Sequence, residues 1–83
     1  MGLEDDLKLV REVHGVKAED NLIILMGAIR YAPNAIERTN AAAPIKNWLL
    51  DEQAKGRRYP EIHEYVQRYE HGVFKDWFKN GGD

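Results

Sequence analysis

Three histidines, fourteen carboxylates, four tyrosines and a single threonine are the residues of this 83-residue chain that could do chemistry; there is no cysteine and no serine. That inventory removes the common nucleophiles of acyl transfer and every thiolate metal site. Thr39 lies two residues beyond Glu37 on an expected helix, with no histidine near it in sequence. A threonine so placed is read as bonding its own backbone. His63 and His71 are eight apart, about 12 Å along a helix, too far to share one metal ion. Neither a His-Glu-x-x-His zinc motif nor a Glu-x-x-His di-iron motif occurs. His14 reads as a partly buried cap at the end of a first helix, where positive charge is favoured. No metal and no small-molecule cofactor is expected. An enzyme built on Glu61, Glu64, Glu70 and Asp76 with Tyr65 or Tyr69 is the weakest of three functional classes, because acid–base pairs leave no spacing signature; the chain is read as non-enzymatic.

Binding residues are better represented. Six of the eight aromatic residues fall within 56–78, as Tyr59, Tyr65, Tyr69, Phe74, Trp77 and Phe78. Lys55, Arg57 and Arg58 precede them. Aromatic side chains supply binding energy by desolvation and a basic strip steers encounter with an acidic surface. The expected site is therefore a protein-binding surface of Lys55, Arg57, Arg58, Tyr65, Tyr69, Phe74, Trp77 and Phe78. The function it implies is that of a small regulatory or adaptor protein, an inhibitor for instance, acting on a larger protein; self-association is the related possibility.

The alternative is a DNA-binding regulator. Residues 31–56 have the general layout of a helix-turn-helix, with a short helix, a break at 39–43 and a second helix. Ala35, Ile45 and Trp48 would face inward. Lys46, Asn47 and Gln53 would meet base edges, and Arg57 and Arg58 the phosphates, in a dimer formed through helix 22–31. Asp51 and Glu52 would repel the same phosphates.

Charge bears on both readings. Twelve basic and fourteen acidic residues leave a net charge of −2, so any nucleic-acid site would have to be local. Residues 1–20 carry six acids and three bases, whereas 30–58 carry six bases and three acids. This split lets a basic face meet an acidic partner, or the two halves of the molecule attract each other. An acidic start lacking the positive charge and apolar stretch of a signal peptide points to a cytoplasmic protein. The longest apolar run, 22–29, is too short for a membrane span.

The elements that must position these residues follow from apolar spacing. With 43% apolar and 31% charged residues the chain should fold, as one helical domain over 1–79 with a loose 80–83 tail. Leu3, Leu7 and Val10 share one helical face, and Gly15 stops that helix. Asp20 is expected to cap a second helix, apolar nearly all round, ending before Pro33. Leu22–Met26 would also suit a strand, but no second run exists to pair with it. Asn34 caps a third helix to about Ala41; Pro44 opens a fourth, ended by Gly56. Pro60 opens a fifth with Ile62, Tyr65, Val66 and Tyr69 inward, and Val73, Phe74, Trp77 and Phe78 form a short sixth. The expected fold class is all-α, a compact single-domain bundle of five or six short helices. Helices this short should leave apolar surface uncovered, and uncovered surface binds a partner.

Overall fold

The computed structural model describes residues 2–71. Among these the secondary structure is entirely helical: α1 (Leu3–His14), α2 (Val16–Arg30), α3 (Ala35–Ala54) and α4 (Pro60–His71). The expected sixth helix, with Phe74, Trp77 and Phe78, lies outside the described residues, as does the 80–83 tail. The bundle is all-α, but with four described helices where five or six were expected.

Two boundaries differ from those expected, and the second merges two helices into one. Gly15 has φ 100° and ψ 167°, a backbone open only to glycine, and there the chain turns with no intervening loop. α2 therefore begins at Val16, and Asp20 is a residue of its second turn rather than its cap. Arg11 and Glu19 bridge the corner, with Nε to Oε1 at 3.2 Å.

The second difference is at Pro44. It was expected to begin a helix, yet α3 runs through it from Ala35 to Ala54. Proline inside a helix forfeits one hydrogen bond and crowds the preceding turn, a cost of about 3 kcal/mol. Ala41, Ala42 and Ala43 leave that turn small and strongly helix-forming. On the same helix Ala42, Ile45 and Leu49 are buried in the core. Burial along one unbroken face outweighs the proline's local preference. The break at 39–43, and with it the helix-turn-helix layout of 31–56, is absent.

Other signals act as read. The Asn34 side-chain oxygen accepts from the Glu37 amide at 2.8 Å. Gly56, at φ 88°, ends α3 as the amides of Gly56 and Arg57 donate to the carbonyls of Gln53 and Glu52. That pair of bonds is a Schellman closure.

α2 packs against all three other helices, most closely against α3 and α1. Leu22, Met26 and Ile29 point from α2 into a core completed by Val10, Ala42, Ile45, Leu49, Tyr59, Ile62 and Val66. α4 packs against α1, α2 and α3. Its first turn has no cap of its own, because Tyr59 precedes Pro60. Asp6, 55 residues earlier, supplies one: its Oδ2 accepts from the amides of Glu61 at 2.7 Å and Ile62 at 3.1 Å.

Candidate functional site

Two places in the molecule gather unusual side chains. The first surrounds Glu52, whose carboxylate is buried on α3 at 1% exposure. Arg57, brought back by the Gly56 turn, donates Nε to Oε1 at 2.7 Å and Nη2 to Oε2 at 3.0 Å. Tyr59 donates its hydroxyl to Oε1 at 2.7 Å, and His14 Nε2 at the end of α1 lies 2.8 Å from the same oxygen. Trp48 fills the space between the His14 and Tyr59 rings, with centroids at 6.1 and 4.8 Å. The Arg57 hydrogen bonds, opposed by burial and aided by those from His14 and Tyr59, hold Glu52 down to about 2. Burial, and the neighbouring carboxylate, push Tyr59 up to about 12.

A carboxylate this acidic is a poor general base near neutral pH, and its oxygens are already engaged. The cluster works as a tie: it joins α1, α3 and the α3–α4 turn through one anion. Sequence reading placed Glu52 among groups that repel phosphate and Arg57 among groups that attract partners. The structure commits both to each other.

The second place is the surface where α2 and α4 meet. Arg30, at the end of α2, sets its guanidinium 5.2 Å from the Tyr69 ring centre and 5.3 Å from that of Tyr31. Tyr69 packs on Tyr65 at 4.6 Å between centroids, and the Tyr65 hydroxyl donates to the Met26 carbonyl at 2.9 Å. Burial pushes the Tyr65 hydroxyl up. Both tyrosines are half-buried. They line a shallow cleft of about 210 Å³ with Leu3, Glu61, Glu64 and Arg68. Tyr65 also lines an apolar groove of about 260 Å³ with Leu7, Ile23 and Gly27.

The residues expected to form one protein-binding surface divide. Tyr65 and Tyr69 line the clefts just described. Arg57 and Arg58 line a different one, of about 200 Å³, with Leu49, Gln53, Pro60 and His63. Lys55 is exposed beyond the end of α3 and pairs with Asp51 at 3.0 Å. Among the described residues the basic strip and the tyrosine pair therefore line separate clefts, and the cations placed beside the tyrosines are Arg30 and Arg68. Phe74, Trp77 and Phe78 lie outside the described residues.

Of the residues proposed to read DNA, Asn47 is exposed, Gln53 is half-buried and lines the Arg57 cleft, and Lys46 Nζ lies 3.1 Å from Glu70 Oε2. Among the suggested acid–base carboxylates, Glu61 and Glu64 share the tyrosine cleft, Glu70 is buried against Lys46, and Asp76 is outside the described residues. Among the described residues no group of three or more carboxylates and histidines is placed to hold a metal ion, and no helix is long and apolar enough to cross a membrane.

Sequence reading missed Glu52, Asp6 and Arg30 in these roles. The spacing of Glu52 to Arg57 hints at their pairing once Gly56 is read as a turn. Nothing local connects Asp6 to Glu61, or Arg30 to Tyr69. Searches of protein-family models, of curated proteins and of solved structures find no match to this chain.

Proposed function

We propose that this chain is a small non-enzymatic regulatory or adaptor domain that binds a larger protein through the aromatic and basic surface between α2 and α4. The observation carrying this reading is the linked set Arg30, Tyr69 and Tyr65: a guanidinium over one ring, that ring against a second, all partly open to solvent. Tyrosine and arginine dominate binding energy where a partner desolvates them. Here their geometry is already held, by the Tyr65 hydroxyl on the α2 backbone and by ring packing, so little side-chain freedom remains to be lost on binding. The flanking charges, Arg68 with Glu64 at 3.4 Å, form a polar rim.

The DNA-reading alternative has no comparable support, since Arg57 is bound by Glu52 and Lys46 lies against Glu70.

The test is capture of partners by the tagged full chain from its source cell, with and without nuclease. A protein that survives nuclease and is lost with Tyr69→Ala, but kept with Arg58→Glu, supports the reading. Capture that vanishes with nuclease, or is indifferent to Tyr69→Ala, overturns it. A loss of more than about 2 kcal/mol in affinity is expected for Tyr69→Ala if the ring is a hot spot.

A further inference from the structure

α2 has an outward face that the core does not use and that borders the tyrosine surface, Ile23, Gly27 and Tyr31 lining one groove with Tyr65. At 100° per residue Val16, Lys17, Asp20, Ile23, Ile24, Gly27, Ala28 and Tyr31 fall within an arc of about 140°, Lys17 and Asp20 marking its polar N-terminal end. Ile24 is 68% exposed, Tyr31 75%, Val16 59% and Ile23 46%. Val16, Ile23, Ile24, Ala28 and Tyr31 thus put apolar surface in the open along one face of α2, a feature of the kind that marks an interaction surface.

Gly27 is the second observation. It lies in the middle of a helix, where glycine is less favourable than alanine. Its φ is not positive, and a Cβ added to it would meet nothing within 4 Å. No described residue requires it. A half-buried glycine on this face suits close approach from outside.

The order of residues along the stripe says what approaches. Large side chains, Ile23 and Ile24, occupy its first half; the small ones, Gly27 and Ala28, occupy its second. Such a face is complementary to its own copy turned end for end, the isologous arrangement of a two-fold dimer. We propose that two copies of this chain pair through this stripe, their α2 helices antiparallel, with Ile23 and Ile24 of each seated over the partner's Gly27 and the partner's Ala28.

The two-fold axis then passes between Leu25 and Met26. Asp20 and Tyr31 stand at equal distances from it, about 8 Å along the helix on either side. Each Asp20 carboxylate meets the partner's Tyr31 hydroxyl, with the partner's Arg30 alongside. The polar ends are thus complementary in the register that the apolar centre demands. Arg30 and Tyr31 belong both to this face and to the tyrosine surface, so a protein held at Tyr65 and Tyr69 is expected to compete with pairing. With one helix face per copy, less than the roughly 800 Å² per partner of a standard interface, association is expected to be reversible, with a midpoint on the order of 10–100 µM.

Sedimentation equilibrium of the full chain, from about 1 to 500 µM, reads this directly. The expected mass rises from 9.6 kDa toward twice that value. Gly27→Leu, which fills the seat of Ile23 but meets nothing in its own subunit, is expected to weaken dimerisation by at least about tenfold while far-UV helicity is kept. The absence of cysteine makes register testable: Ile24→Cys protein mixed with Ala28→Cys protein should oxidise mainly to the mixed disulfide. A monomer at every concentration overturns the proposal, whether residues 72–83 or another protein covers the stripe. So does a dimer indifferent to Gly27→Leu, or one in which like pairs cross-link in preference to the mixed pair.

Discussion

Glu52 and Ile24 occupy each other's usual surroundings. A carboxylate sits at 1% exposure while an isoleucine stands 68% open to solvent. Around Glu52 every cost of burial is met from within the chain: Arg57, Tyr59 and His14 each bring a donor. Around Ile24 no described residue covers the exposed side chain. The first region is satisfied from within; the second is the face that the proposed pairing would cover.

The largest effect should come from breaking the Glu52 tie. Glu52→Ala leaves Arg57 and Tyr59 without their acceptor and is expected to cost about 3–5 kcal/mol of folding stability, read by urea denaturation. A comparable change at Ile24 should leave stability within about 0.5 kcal/mol and alter only association.

Titration sharpens the same contrast. Glu52 is more acidic in the fold than the ordinary value of 4.5, at about 2. Its contribution is fully present above pH 4.5 and is lost as pH falls toward 2, amounting to about 3 kcal/mol. Tyr59 behaves oppositely: its proton is favoured in the fold, so its share persists below pH 10 and disappears as pH rises toward 12. Glu52→Gln should flatten the acid limb of a stability–pH curve while leaving association through α2 unchanged.

Asp6→Ala comes next, at about 1–2 kcal/mol, since it removes the acceptor for two amides at the start of α4. Hydrogen exchange should quicken first at Glu61 and Ile62. The smallest change has the opposite sign. Gly27→Ala should stabilise the isolated subunit by about 0.5–1 kcal/mol, measured on dilute protein, because the helix gains and nothing is displaced. The same substitution, by narrowing the seat for Ile23, should weaken pairing of two copies.

Much of the fold can be read from local chemistry. Leu3, Leu7 and Val10 mark α1, Gly15 its stop, Asn34 the start of α3, Gly56 its end and Pro60 the start of α4; each rests on a backbone preference or a cap within a few residues. Asp20 and Pro44 carry the same kind of local signal and were misread. For Pro44 the competing term is not local: burial of Ala42, Ile45 and Leu49 against α2 exceeds what the proline costs. For the candidate surfaces, residue types were legible and their partners were not. Arg57 is the partial exception: its spacing from Glu52 across the Gly56 turn hints at their pairing, but the hydroxyl of Tyr59 and the imidazole of His14 on the same carboxylate do not show in the sequence.

What the order of amino acids determined here is therefore the helices, most of their ends, and the surplus of apolar and ring-bearing side chains over what short helices can cover. Those follow from terms that act within one or two turns. Which surplus residues were covered, which carboxylates became internal ties, and that the basic strip and the tyrosine pair would line separate clefts were decided when α1, α2, α3 and α4 packed. Those outcomes depend largely on groups tens of residues apart, such as His14 with Glu52 and Asp6 with Glu61, reaching hydrogen-bonding or van der Waals distance, and no local pattern records that.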